Sequence, residues 1–464
     1  MFDIINNILY KEQKLDTLNE EKMTTTSKHP ETLALHGGSY RKDPTTNAVA
    51  VPIYQTTSYE FNSAEHAGNL FALKELGNIY TRIMNPTNAV LEERLAAIEG
   101  GAAALALSSG QAASAFSIQN VAQAGDNIVC STDIYGGTWN LFNNTLRAQG
   151  IDVRFADPSD PENFRKLTDE KTRAYYAETL PNPKLSVFPI EEVANIGRPL
   201  GIPLIVDNTA APLSCKPFDY GAAIVMHSLT KWIGGHGTSI GGIIVDGGNF
   251  DWTAVPERQP FYNQPDKSYH GAVWGDVVPQ IFGVQIAFAI RARVVLLRDL
   301  GAAIAPQNSF NLIQGLESLP LRIKQHNTNA IQVADFLKAH DQVSKVTFPK
   351  FAEGKAKENA DKYLNGNYGS MIGIEVKNGV EGGKAFIDAL QLHYHVANIG
   401  DSRSLAIHPA STTHSQLSAE EQLKAGVTPG YVRLCVGIEH VEDIIEDLKI
   451  GLEAASKATT TAAA

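Results

Sequence analysis

Five short runs constrain this chain more than any other feature. "DNIVC" (126–130), "IDVRFA" (151–156), "TRAYYAE" (172–178), "IPLIVDN" (202–208) and "AAIVMHS" (222–228) are rich in β-branched and aromatic residues and show little alternation with polar ones. A strand with one wet face alternates, whereas a strand covered on both faces does not, so these runs predict a parallel sheet with helices on each side. The segments between them fit that role. "NPTNAVLEERLAAIEGG" (85–101) places Val90, Leu91, Leu95 and Ile98 on one helical face and ends on Gly100 and Gly101. "EEVANIGRPLG" (191–201) supplies a crossover helix. The expected class is therefore α/β, with a doubly wound, mostly parallel sheet over about residues 70–270.

After about residue 300 the pattern changes. "APQNSFNLIQGLESLPLRIKQHNTNAIQVADFLKAH" (305–340) predicts one or two long helices, broken near Pro320. Beyond it the strands "VSKVTFP", "GSMIGIEV" and "YVRLCVGIE" alternate with the helices "KAFIDALQL" and "VEDIIEDLKIGLEAA", which suits a smaller α+β unit. Two units are also what 464 residues require, since single cores stop growing at about 250–300 residues. The working division is an extension at 1–29, expected to be mobile, an arm at 30–69 expected to contact a neighbouring subunit, a large domain at 70–299, a small C-terminal domain at 300–457 and a disordered tail at 458–464. Residues 1–22, rich in Glu and Asn and without the basic, then apolar, order of a signal peptide, are expected to lie outside the fold.

Composition removes several function classes. A net charge of −11 leaves no basic face for nucleic acid or an anionic membrane. No uninterrupted apolar run approaches the ~18 residues of a membrane span. Three scattered cysteines make neither a disulfide framework nor a zinc site and suit a reducing cytoplasm. His227 and His236 stand nine apart, off helical ligand spacing, so no metal is expected.

Open α/β sheets bind ligands at the carboxyl ends of their strands. Three of those ends carry chemistry: Asp207, Asn208 and Thr209; Ser228, Thr230 and Lys231; and Ser108, Ser109, Gly110 and Gln111. The last is a turn that can open a helix whose free N–H groups hold a phosphate. An anion cradle, an acid and a lysine on neighbouring ends suggest pyridoxal phosphate, which needs a Schiff-base lysine and an acid opposite its ring nitrogen. Taken singly, each has a plain alternative: a helix cap for Asp207, an N-cap turn for Ser109, a surface lysine for Lys231. The glycine-rich "GGHGTSIGG" holds no dinucleotide fingerprint, and no phosphate-loop motif occurs.

Seven motifs occur together: "YTRIMNPT", "SSGQAA", "YGGT", "ETLPNP", "VDNT", "HSLTKWIGGHGT" and "RLCVGIE". In this order they resemble the Cys/Met-metabolism family of PLP enzymes over about residues 30–457, and within it the O-acetylhomoserine sulfhydrylases. The resemblance implies a fold-type I, aminotransferase-like architecture and a cytoplasmic homotetramer of dimers that share active sites. It implies Lys231 as the cofactor lysine and Asp207 as the partner of the ring nitrogen. Gly110, Gln111, Ser228 and Thr230 would hold the phosphate, joined by Tyr80 and Arg82 from the neighbouring subunit. Tyr135 would stack on the ring and serve acid–base chemistry. Asn182 would lie near the 3-oxygen and Thr209 near the ring.

For the substrate the resemblance implies Arg433 as the carboxylate clamp, with Ser404, Asn182 and Tyr80 beside it. Arg433 stands among apolar neighbours and needs a partner if buried. Leu229 stands where alanine is common in relatives. "NIGDSRSLAIHPASTTH" (398–414), with Asp401 and Arg403 ahead of Ser404, and the long run at 251–274 resemble the sulfhydrylase branch. The implied reaction is γ-replacement, in which O-acetylhomoserine and sulfide give homocysteine and acetate. Cystathionine γ-synthase and methionine γ-lyase chemistry, or O-acetylserine or O-succinylhomoserine as donor, are the alternatives within the family. An idle family member that acts as a binding subunit is the alternative outside catalysis, and the presence of both Lys231 and Asp207 argues against it.

Overall fold

The computed structural model describes residues 25–458, apart from 73, 76, 414, 417 and 425. The extension expected over 1–22 and the tail from 459 lie outside the described residues.

The first sheet has seven strands: β1 (Ala103–Leu107), β2 (Asn127–Ser131), β3 (Asp152–Ala156), β4 (Thr172–Glu178), β5 (Leu204–Asp207), β6 (Ile224–Ser228) and β7 (Gly242–Asp246). Their spatial order is β1-β7-β6-β5-β4-β2-β3. β7 runs against both its neighbours, and the other pairs in the sheet are parallel. The five expected runs are all strands. β7 was not expected, because "GGIIVD" follows a glycine-rich loop that masks its apolar run. Both faces of the sheet are covered, as the absence of alternation implies. On β5, Leu204 and Val206 enter one core cluster and Ile205 the other; on β6, Val225 enters the first, Ile224 and Met226 the second.

Helices supply the two covers. Helix α1 (Pro86–Glu99) starts on Asn85, whose side chain accepts a hydrogen bond from the Thr87 N–H, and ends at Gly100 in a left-handed conformation. Val90, Leu91, Leu95 and Ile98 are buried, as their spacing predicts. Helix α2 (Gly110–Gln119) follows β1 directly. Helix α3 (Ile190–Gly197) is the expected crossover between β4 and β5.

Helix α4 (Pro306–Lys338) corrects one expectation, since it runs unbroken for 33 residues with Pro320 inside it. Proline removes one helical hydrogen bond, at a cost of about 3 kcal/mol in an exposed helix. Here Leu316, Leu319, Pro320 and Ile323 are all buried, so packing on both sides of the defect keeps the helix continuous. Residues 30–36, assigned from sequence to an arm reaching a neighbouring subunit, form a short helix with Leu33 and Ala34 buried, packed on α1 and α4 of its own chain.

The second sheet is antiparallel except at one edge, in the order β10-β11-β12-β9-β8, with β8 (Val343–Thr347), β9 (Met371–Val376), β10 (Tyr394–His395), β11 (Leu405–Ile407) and β12 (Tyr431–Cys435). β10 and β11 are too short to leave a readable period. Helices α5 (Gly379–Ala389) and α6 (Val441–Lys457) pack on each other and share a core with this sheet. The three cysteines, Cys130, Cys215 and Cys435, are free and buried. No single helix among the described residues is long and apolar enough to cross a membrane.

Candidate active site

Four strands of the first sheet end at one place. Glu178, Asp207 and Ser228 are the last residues of β4, β5 and β6, and Ser109 and Gly110 follow β1. The second sheet closes the opposite wall with Ala397, Asn398, Ile399 and, from β12, Arg433. Between them lies a cavity of about 260 Å³, at the carboxyl ends of the parallel strands where such sheets bind ligands. Lys231, Asp207, Tyr135, Gly110, Gln111, Asn182, Thr209, Ser228, Thr230 and Arg433 all line it.

The wall near β1 is an open anion cradle. Ser109 caps α2 by accepting from the Ala112 N–H, which leaves the N–H groups of Gly110 and Gln111, the first two residues of the helix, without a partner in the chain among the described residues. The turn is tight. A Cβ on Gly110 would lie 2.6 Å from Ser228 Cβ, and one on Gly242 would lie 2.0 Å from the Ser109 carbonyl oxygen. Only glycine lets β6 and β7 approach this turn so closely.

The floor is acidic. The Asp207 carboxylate accepts from the Thr209 N–H at 2.9 Å, and burial pushes its proton affinity up against that bond. Thr209 in turn uses its hydroxyl to accept from the Ser228 N–H at 2.7 Å, which joins the ends of β5 and β6. Beneath them, His227 and Glu99 pair at 2.9 Å, both buried.

Lys231 faces this floor from the loop after β6. Its Nζ donates to Asn398 Oδ1 at 2.6 Å. Burial, and then the charge of Arg433, hold the amine below the ordinary lysine range. Arg433 is only 8% exposed and donates from Nη2 to the Asn398 carbonyl oxygen at 2.8 Å. Its Nε has no hydrogen-bond partner, and it forms no ion pair with a carboxylate among the described residues. Breaking up such a pair is costly because a buried charge is left alone; this arginine stands alone already. A carboxylate entering the cavity would complete it.

These residues fit a phosphorylated pyridine ring. The cradle suits the phosphate, Asp207 suits a protonated ring nitrogen, and Lys231 suits the aldehyde. Asn182 Oδ1 is buried without a partner and marks a polar position that the chain itself does not fill.

Three expected residues are elsewhere. Tyr80 is exposed, and Arg82 is exposed beside it, its guanidinium over the Tyr80 ring and donating to the Arg298 carbonyl oxygen. Neither lines the cavity of its own chain. Ser404 is fully buried outside the cavity wall, donating from Oγ to Glu439 at 2.9 Å and accepting from the Gly437 N–H, so its hydroxyl is committed to the fold. Asp401 pairs with Arg403, while Ser402 donates to the Gly235 carbonyl oxygen, so this segment braces the lysine loop. The run at 251–274 puts Trp252 and Tyr262 into the core beneath the sheet, stacked at 4.3 Å, and none of its residues lines the cavity.

Two residues that sequence reasoning passed over are central. Glu178 opens "ETLPNP" and is a second strand-end acid beside Asp207; Asn398 lies in a loop without periodicity and touches both Lys231 and Arg433.

Comparison with known proteins agrees with this arrangement. The profile described as Cys/Met metabolism PLP-dependent enzyme matches residues 31–453. An O-acetyl-L-homoserine sulfhydrylase of Leptospira meyeri is 52% identical, over 91% of this chain and 96% of its own. O-acetyl-L-homoserine sulfhydrylase 1 of Thermus thermophilus is 50% identical, over 91% and 99%. A Campylobacter jejuni crystal structure named as an O-acetylhomoserine (thiol)-lyase superposes with a TM-score of 0.86 at 41% identity, covering 92% of this chain and 100% of that one. It carries N′-pyridoxyl-lysine-5′-monophosphate.

Proposed function

This chain belongs to the Cys/Met metabolism PLP-dependent enzymes, and we propose that within that family it performs γ-replacement on O-acetylhomoserine, with sulfide taking the place of acetate to give homocysteine. The observation that carries the reading is Arg433, a buried guanidinium without a carboxylate partner among the described residues, in the same cavity as Lys231. An amino-acid substrate brings the missing carboxylate, which the planar fork of arginine binds with two parallel bonds.

Bound pyridoxal phosphate supplies an electron sink that acidifies the carbon next to the substrate amine. The chain does the rest. Gly110, Gln111, Ser228 and Thr230 would hold the phosphate, Asp207 would pair with the ring nitrogen, Asn182 would lie near the 3-oxygen, and Thr209 would sit beside the ring. Lys231, held in a water-poor site that favours its neutral amine, takes the proton from Cα and then one from Cβ so that acetate can leave Cγ, and returns both after sulfide has added there. Arg433 fixes the substrate so that Cα faces that amine. Asn398 holds Lys231 and Arg433 at a set separation, since it bonds both. Tyr135, at the exposed rim, covers the ring and relays protons to the departing acetate.

The exposed Tyr80 and Arg82 serve the neighbouring subunit's phosphate, in a dimer that pairs into a tetramer, and the enzyme works in the cytoplasm. Exposed apolar side chains at Val49, Ile53 and Ile240 support cover by a second copy.

The test is a matrix of donors and nucleophiles on pure protein. Homocysteine from O-acetylhomoserine and sulfide should show the highest kcat/KM. Faster cystathionine formation with cysteine, or methionine breakdown without a nucleophile, would overturn the reading.

A further inference from the structure

Glu178 has no part in the chemistry above, yet it lines the cavity as the in-register neighbour of Asp207. Register partners on parallel strands point to the same face, so the two carboxyl groups stand side by side. No lysine or arginine forms an ion pair with either among the described residues. Lys184 is taken up by Asp133, at 2.6 Å. Asp133 adds a third negative group, Cys130 and Tyr176 are neutral neighbours, and His227 is engaged by Glu99 below. Lys231 and Arg433 face the pair across the cavity.

Two adjacent buried carboxyl groups do not both ionise. Their other bonds tell them apart. Asp207 faces the position of the ring nitrogen and accepts from Thr209. Glu178 instead accepts on Oε1 from the Tyr135 backbone N–H at 2.6 Å and also from the Asn182 backbone N–H, bonds that favour its ion but are outweighed by burial and the neighbouring Asp207. Tyr135 is the cap of a helix start that has no side-chain cap of its own. Its ring folds back over Gly137, where a Cβ would lie 2.5 Å from the ring, so ring and backbone position go together. Whatever fixes the Tyr135 N–H fixes the ring at the rim.

We propose that Glu178 is a positioning residue that works as a neutral acid: one oxygen seats Tyr135 over the cavity, and the proton it keeps leaves Asp207 as the single anion under the cofactor ring. The inference deepens the cofactor reading given above and rests on it. Burial, and then the charge of Asp207, raise the proton affinity of Glu178 well above the ordinary range, in agreement with this division.

The experiment uses pyridoxine 5′-phosphate, which has the ring and phosphate but no aldehyde to react with Lys231, and the full chain depleted of cofactor. Glu178→Gln keeps the acceptor and mimics the neutral acid; Glu178→Ala removes both. Binding should weaken about tenfold or more in the Ala variant, the scale of a stranded N–H group, and stay within about threefold of wild type in the Gln variant. On the holoenzyme, infrared difference spectra of wild type minus Glu178→Gln at neutral pH should show the carbonyl band of a protonated carboxyl group. Gln binding as poorly as Ala would mean that the charge is needed. Ala binding like wild type would mean that nothing is seated, and a missing band would place the proton elsewhere; each would overturn the proposal. Should the Ala variant not fold, the Gln variant and the infrared band decide alone. Failure of wild type to bind pyridoxine 5′-phosphate would count against the cofactor reading instead.

Discussion

At the scale of single residues, the site is a set of buried titratable groups, one of them an arginine without a carboxylate partner among the described residues, and that is what makes it testable. Lys231→Ala should abolish the visible absorbance of the bound cofactor and nearly all turnover, and normal turnover in pure protein would refute its role. Arg433→Ala should lower kcat/KM for the amino-acid donor by about two to four orders of magnitude, the equivalent of about 3–5 kcal/mol for a lost buried charge pair, while cofactor absorbance stays. Arg433→Lys, which loses the fork but keeps the charge, should fall between. The acids give a pH prediction. Glu178 and Asp207 both bind protons more tightly in the folded chain than in the unfolded one. Such groups contribute stability at pH values below their unfolded titration range, and that contribution is lost as pH rises through their folded values. The cofactor-free protein should therefore lose melting temperature as pH rises from the ordinary carboxylate range through these raised values, and Glu178→Gln should lose less. Most of the cavity residues were legible in the sequence because they sit at strand ends, a place that sequence can find. Asn398 was not, since its loop is positioned only by the contact between the two sheets. Ser404 was misleading for the reverse reason: its motif is shared, but its hydroxyl is consumed by Glu439 and Gly437.

At the scale of elements, the long helix α4 ties down the lysine loop. Arg322, 5% exposed, donates to the carbonyl oxygens of Trp232 (2.6 Å), Ile233 (3.0 Å) and Gly315 (2.6 Å). The first two follow Lys231 directly, so one guanidinium ties the loop to the helix. Arg322→Met should strand these carbonyl groups at about 1–3 kcal/mol each, lower the melting temperature and loosen cofactor binding. A calorimetric scan with unchanged midpoint would exclude this brace. The same helix shows where sequence reasoning fails. Pro320 predicts a break by a local rule, but the helix packs on one cover of the first sheet and on the core of the second, and the local defect is outweighed. The sheet strands were legible because burial on both faces writes a pattern into them, whereas β7, β10 and β11 hide behind glycine or brevity.

At the scale of the whole molecule, the placement of Tyr80 and Arg82 off their own cavity makes assembly a testable quantity. If Arg82 serves the neighbour's phosphate, Lys231→Ala and Arg82→Ala proteins should each be poorly active. When they are unfolded and refolded together, half the dimers are mixed, and each mixed dimer has one site with both lesions and one with neither. About a quarter of wild-type activity should then return, by the statistics of a two-fold dimer. Activity no higher than the mean of the parents, with exchange verified, would make Arg82 an intrachain residue. The last consequence comes from the cysteines. All three are buried, and burial pushes their thiols up, away from the reactive thiolate. A protein that handles sulfide thus offers its own sulfur atoms to no passing disulfide or persulfide. Those atoms meet solvent only when the chain opens, so the rate at which a thiol reagent labels the native enzyme is a clock of unfolding, one that a bound cofactor should slow and three labels per chain should stop.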